Sequence, residues 1–183
     1  PNKLISILNT QKHSPLYGVI KTHTFPEGYI KDNTVIKAFN SSLTNGVLFE
    51  LTSNVITGKS EHDIESMTNL LNAFWGAVQK IFPKDWKLPP TKTRLTHGAG
   101  ILALSSIMDE IIYKKILRKN PNYLDEKSFI ISDFLKYLDP LKENIDWARG
   151  KYDIGDGHPR EIMDIQNTSK DIALFSKFLV SKI

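Results

Sequence analysis

The spacing of apolar residues predicts two long helices in the middle of the chain. From Ser60 to Phe82, apolar side chains recur at intervals of three and four residues, which places them on one face of a helix. Ser60 and Asp63 form a pattern similar to a capping box at its start. Residues 98–119 repeat this spacing with apolar positions around more of the circumference. We therefore expect the first half of this second helix at the centre of the core.

Shorter apolar runs predict the remaining elements. Further helices are expected at residues 4–8, from Ser14 to Lys21, from Lys31 to Leu43, between Ser128 and Asn144 as one or two short helices, and from Asn167 or Thr168 to Ile183. The run Val47 to Leu51 predicts a strand, with Val55 and Ile56 as a short partner. Prolines in 83–90 and glycines in 148–160 mark loops. The pattern predicts a mostly α, compact multi-helix domain with at most one short β-hairpin.

Length and composition limit the class of protein. A chain of 183 residues with 40% hydrophobic content favours one helical domain over residues 1–183. The absence of cysteine excludes a disulfide scaffold and any thiolate ligand or nucleophile. The sequence shows neither a signal peptide nor an apolar run long enough for a bilayer, so we expect a cytoplasmic protein without a membrane partner. Because the chain begins with Pro1 and not Met, we expect a processed product or a fragment from which N-terminal parts of a longer protein are missing.

The positive charge of the chain is concentrated in one window. Residues 80–100 contain five basic residues and one acidic residue, and this excess equals the net charge of +4 of the whole chain. A local basic patch indicates a polyanionic partner such as DNA better than a high overall pI does. A second basic cluster, residues 114–119, is better explained by the favourable interaction of cations with a helix C-terminus than by contact with nucleic acid.

The stretch from Lys92 to Ile101 is the strongest candidate site for binding phosphate or nucleic acid. It combines cations, threonines, a histidine and glycines where a helix begins, and free N–H groups and the helix dipole favour anions there. Its spacing matches neither standard phosphate-binding glycine motif. The alternative is that Thr96 caps the helix, the glycines allow close packing and the cations are solvated. The candidate residues are Lys92, Arg94, Thr96, His97, Gly98 and Gly100.

A second polar run precedes the last predicted helix. Gln166 and Asn167 carry amides that can contact a phosphate or a base edge, although capping of the helix also explains Asn167 or Thr168. The five histidines lack metal-ligand spacing, so no metal site is predicted. The sequence also has no Gly-x-Ser-x-Gly elbow, and the catalytic residues therefore stay unknown.

Several short segments together resemble one protein family. They are Phe25–Lys31, Ser42–Gly46, Phe74–Val78, Phe82-Pro83 with Trp86, Leu88–Pro90, Thr93–Ile101 and Asp164–Thr168. Together they resemble the C-terminal region of DGQHR-domain proteins, which include the DNA sulfur modification protein DndB. The Asp-Gly-Gln-His-Arg motif that names the family is missing, and Asp156-Gly157-His158-Pro159-Arg160 only echoes it.

The resemblance implies a regulatory or DNA-binding role in DNA modification (phosphorothioation) and defence. It also implies a link to hydrolysis of a nucleotide such as ATP through an N-terminal domain related to ParB and sulfiredoxin. Our leading hypothesis is a domain that binds DNA or a nucleotide phosphate. The alternatives are an interaction module that packs on the N-terminal domain or a partner subunit, and an accessory part of a nucleotide-hydrolysing enzyme.

Overall fold

The computed structural model describes residues 1–54 and 60–183, and its fold is mostly helical, as the sequence predicts. The helices are α1 (Asn2–Thr10), α2 (Asp32–Asn45), α3 (Val47–Glu50), α4 (Ile64–Ile81), α5 (Gly98–Ile111), α6 (Tyr123–Glu126), α7 (Ser132–Leu138), α8 (Leu141–Asn144) and α9 (Ser169–Val180). Short strands form three two-stranded sheets within these ranges: β1 (Ile20–Lys21) with β2 (Ile30–Lys31), β3 (Thr52–Asn54) with β4 (Ser60–His62), and β5 (Lys151–Tyr152) with β6 (Arg160–Glu161).

Helix α5 lies at the centre of the core, which confirms the prediction from its broad apolar surface. It packs against α2 and against α9, while α4 packs against α7 and α1. Ala99, Ala103 and Leu104 of α5 are fully buried, as is Trp75 of α4 apart from 1% of its surface. The chain continues beyond α5 as a π-helical turn, Ile112–Ile116, so the predicted long segment is helical but not one regular α-helix.

The predicted start of α4 at Ser60 is wrong. Asp63 is the N-cap, and its carboxylate accepts a hydrogen bond from the Ser66 N–H at 3.0 Å. The backbone of Ser60–His62 instead pairs with β3, so the helix cannot begin before Asp63. At the other end of the chain, α9 begins as predicted, because the Thr168 hydroxyl accepts from the Asp171 N–H at 3.2 Å.

The helix predicted from Ser14 to Lys21 is absent, because side chains compete for its backbone groups. The Ser14 hydroxyl accepts from the Leu16 N–H at 3.1 Å and closes a turn. The buried amide of Asn9 then binds both the N–H and the carbonyl of Ile20, at 3.1 and 2.9 Å. Strand β1 follows and pairs in parallel with β2. Local propensity is therefore overridden by contacts with α1.

The strand predicted from Val47 to Leu51 is also wrong, because Val47–Glu50 forms the helix α3. Asp109 on α5 explains the change. Its carboxylate oxygen Oδ1 accepts from the Val47 N–H at 3.2 Å and from the Ser42 hydroxyl at 2.8 Å, which caps the short helix from a distant element. The predicted partner residues Val55 and Ile56 lie outside the described residues.

Candidate anion-binding site

Three helix N-termini meet at one cavity of about 580 Å³. Lys31 and Thr34 reach it from the start of α2, His97 and Gly98 from the start of α5, and Asn167 from the turn that leads into α9. Each helix contributes a partial positive charge at this end. No carboxylate is among the described residues that line the cavity. The arrangement therefore favours an anion over a cation or a neutral ligand.

Thr34 supplies a hydroxyl group that has no internal role. The residue is only 4% exposed, yet its hydroxyl has no hydrogen-bond partner within the part of the chain that the structure describes. Because Thr34 lines the cavity, its hydroxyl can donate or accept a hydrogen bond there. A ligand oxygen in the cavity would supply the missing partner.

His97 is a neutral hydrogen-bond donor and not an acid or base near neutrality. Its Nδ1 atom accepts from the Ala99 N–H at 3.3 Å, so in the neutral ring the proton is on Nε2. Burial, and then the positive charges of Arg94 and Lys31, lower the pKa of His97 to about 4. The same effect of the two cations indicates a positive potential in the cavity. His97, and not Thr96, is the N-cap of α5.

Arg94 links three backbone carbonyls in the wall of the cavity through hydrogen bonds. It is 8% exposed, and its guanidinium donates to the carbonyls of Ile165 at 2.9 Å, Pro90 at 3.2 Å and Met163. These bonds use three of its five N–H donors. Arg94 therefore adds positive charge at the site, while most of its hydrogen bonding fixes the segment before α9.

Thr96 and Gly100 also have structural roles, which match the packing alternative derived from the sequence. The buried Thr96 hydroxyl donates to the carbonyl of Leu88 at 2.7 Å. At Gly100, a Cβ atom would lie closer than 3.0 Å to the carbonyl oxygen of Arg94. Only glycine allows this approach of backbone to helix. These two residues shape the helix start, and Gly100 does not line the cavity.

The structure brings together two motifs that are about 70 residues apart, Thr93–Ile101 and Asp164–Thr168. A Cβ atom on Gly98 would lie 2.7 Å from Nδ2 of Asn167, so the Asn167 amide rests on the start of α5. Two other candidates lie outside the cavity. Lys92 is exposed and does not line it, and the Gln166 side chain donates to the carbonyl of Asp164 at 3.1 Å.

Sequence reasoning missed Lys31 and Thr34. Both belong to the first turn of a predicted helix, and a lysine and a threonine at a helix start are too common to be a signal alone. They join the site because α2 packs against α5 with the two N-termini at the same end.

Comparisons of the chain with protein-family models, with curated proteins and with solved structures find no match. Within residues 1–54 and 60–183, no helix has both the length and the apolar character needed to cross a membrane. The class of molecule defined by fold and site is thus a mostly helical domain with an electropositive cavity at converging helix N-termini.

Proposed function

We propose that this domain binds a phosphate group in the cavity where α2, α5 and α9 begin. The observation that carries the proposal is the hydroxyl of the largely buried Thr34, which lines the cavity at the meeting point of three helix N-termini and makes no hydrogen bond within the described residues. Helix N-termini bind phosphate because their free N–H groups and dipoles both favour negative charge. A phosphate has several acceptor oxygens and would satisfy these donors together.

The donors around the cavity fit a phosphate in number and charge. Lys31 supplies a permanent cation, Thr34 a hydroxyl, His97 its Nε2–H group and Asn167 an amide. The N–H of Gly98 has no acceptor within the described part of the chain and points from the helix start. Arg94 also lines the cavity and adds a second positive charge. The site needs no metal ion to attract the ligand.

We infer further that the phosphate belongs to DNA. Exposed Lys87 and Lys92 precede the cavity along the chain, where they can contact neighbouring phosphates of a strand. The resemblance to DGQHR-domain proteins supports the same proposal, in which the domain would belong to a cytoplasmic DNA-modification protein. In this proposal Lys92 contributes general affinity for the polymer, and Lys31 contributes affinity for the phosphate in the cavity.

Titration of duplex DNA across salt concentrations tests this proposal. Affinity should fall steeply with salt, and Lys31→Ala and Lys92→Ala should each reduce the slope of log K against log salt by about one. Lys37→Ala is the matched control, because Lys37 is an exposed lysine on α2 that does not line the cavity. Absence of binding at low salt, or an equal effect of Lys37→Ala, would contradict DNA binding.

The second candidate function is an interaction module. In this alternative the domain packs on an N-terminal domain or a partner subunit; what favours it over ligand binding is that Arg94 and Thr96 use their polar groups in hydrogen bonds within the domain. A role as an accessory part of an ATP-hydrolysing enzyme is a third proposal. It predicts ATP turnover only when the N-terminal domain is joined to this one, and loss of that turnover in Lys31→Ala.

A further inference from the structure

A second cavity continues the first along α5. It has a volume of about 500 Å³ and lies between α2 and α9. Ala38 and Leu102, which line it, each follow a residue of the first cavity by four positions on the same helix face, namely Thr34 and Gly98. These lining residues of the two cavities are therefore about one helical turn, roughly 5.4 Å, apart on α2 and on α5.

Serine hydroxyls dominate the polar lining of this second cavity, which we call the serine groove. All three helices contribute: Ser41 from α2, Ser105 and Ser106 from α5, and Ser169 and Ser176 from α9. Hydroxyl groups both donate and accept hydrogen bonds and carry no charge. The lining also includes Asp109 and Lys177, one acidic and one basic residue, so its formal charges balance, whereas the first cavity is lined by Lys31 and Arg94 and by no carboxylate.

Ser105 shows that the serine groove has unused hydrogen-bonding capacity. Its residue is 6% exposed, and its hydroxyl has no hydrogen-bond partner among residues 1–54 and 60–183. By contrast, Ser176 donates to the carbonyl of Ile172 at 2.7 Å, which satisfies it within α9. A hydroxyl that lines a groove and makes no hydrogen bond within the protein is available to a polar ligand.

We propose that the serine groove holds the body of the ligand whose phosphate occupies the first cavity, and that this ligand is a phosphate ester with an uncharged body that carries hydrogen-bonding groups. Sugar phosphates and nucleotides, either free or at the end of a DNA strand, have this chemistry. The inference rests on the proposed phosphate site. Seven residues of helix separate Gly98 from Ser105, which is about 10 Å and suits the distance from a phosphate to a sugar or base.

Isothermal titration with inorganic phosphate, ribose 5-phosphate, AMP and a 5′-phosphorylated oligonucleotide tests the inference. Ribose 5-phosphate and AMP should bind more tightly than inorganic phosphate. Ser105→Ala should weaken both esters about fivefold to tenfold and leave inorganic phosphate unchanged. Ser6→Ala, at an exposed position on α1, is the matched control and should change none of these affinities.

A second variant shows whether Ser105→Ala acts on the ligand directly or only by disturbing the core around it. Ser41 is exposed at the rim of the serine groove, so Ser41→Leu narrows the groove without disturbing the core. It should also weaken the esters and spare inorganic phosphate. AMP binding more tightly than ribose 5-phosphate supports a groove that also accommodates the base; equal binding supports a groove for the sugar alone.

The outcomes separate the two proposals. If inorganic phosphate binds but the esters bind no more tightly, or if Ser105→Ala and Ser41→Leu leave their affinities unchanged, the serine groove does not hold the ligand. Binding of the oligonucleotide without binding of either small ester also overturns the inference. If inorganic phosphate itself fails to bind, the phosphate site is wrong and the inference fails with it.

Discussion

Gly100 lies directly against the carbonyl oxygen of Arg94, and a Cβ atom at this position would lie closer than 3.0 Å to that oxygen. The contact brings the backbone of α5 against the backbone of Arg94, whose guanidinium lines the cavity and donates to the carbonyl of Ile165. The geometry of the site therefore depends on a residue that does not line it.

Gly100→Ala should lower the free energy of unfolding by about 1–3 kcal/mol, because the added methyl group meets backbone that cannot move aside as a side chain can. Urea denaturation measures the change. Ser106→Ala, at an exposed position on the same helix, should stay within about 0.5 kcal/mol of the unmodified chain. Equal stability of Gly100→Ala and the unmodified chain would show that α5 does not approach Arg94 so closely.

Arg94→Ala should destabilise the domain by about 3 kcal/mol, since the carbonyls of Ile165, Pro90 and Met163 lose their donor. Arg94→Lys should recover only part of this loss, because an ammonium group cannot donate in three separate directions as the guanidinium does. Thermal or urea unfolding compares them with Arg118→Ala, an exposed arginine that should have little effect. Full recovery by lysine would indicate that charge matters here and hydrogen bonding does not.

Substitutions at Asp109 test whether its carboxylate caps α3. Asp109→Ala should cost about 1–3 kcal/mol, because the Val47 N–H and the Ser42 hydroxyl lose their acceptor. Asp109→Asn keeps an acceptor oxygen and removes a buried charge, and burial raises the pKa of the Asp109 carboxyl. At neutral pH the asparagine variant should therefore be at least as stable as the unmodified chain in urea. Equal losses for both variants would contradict a capping role.

His97 makes the stability of the domain depend on pH. Its pKa is about 4 when folded, below the usual value of 6.5, so the unfolded chain binds the proton more readily. The contribution of His97 is fully present above pH 6.5 and is lost as the pH falls towards 4. His97→Asn can still accept from the Ala99 N–H and should flatten the profile of unfolding free energy in this range.

The control for this pH profile is His158→Asn. His158 is an exposed histidine outside the cavity, and its replacement should leave the free energy of unfolding at neutral pH within about 0.5 kcal/mol of the unmodified chain. Bound phosphate should raise the pKa of His97, because an anion favours the imidazolium form. A profile that is the same with and without His97 would show that its ring is not buried among cations.

The long helices could be predicted from sequence because their stability comes from periodic apolar faces. Most of α4 and all of α5 follow from such spacing, and the Thr168 cap identifies α9. The errors at residues 14–21 and 47–51 have one cause in common. A distant polar side chain, Asn9 in the first case and Asp109 in the second, takes over the backbone hydrogen bonds.

The candidate site was predictable only in part for the same reason. A helix start rich in glycine and cations identifies His97 and Gly98 from local sequence, and the polar run before α9 identifies Asn167. Whether a basic side chain is available to bind a ligand depends on its tertiary contacts. Arg94 is bound by carbonyls from a segment about 70 residues away, while Lys31 and Thr34 come from a helix whose packing the sequence does not specify.

The most direct test is isothermal titration of inorganic phosphate at low salt into the unmodified chain, Thr34→Val and Thr44→Val. Thr44 is an exposed threonine on α2 outside the cavity and serves as the control. We predict saturable binding to the unmodified chain and to Thr44→Val, with about tenfold weaker binding to Thr34→Val. No saturable binding to the unmodified chain, or equal affinity of Thr34→Val, would contradict a phosphate site at the converging helix N-termini.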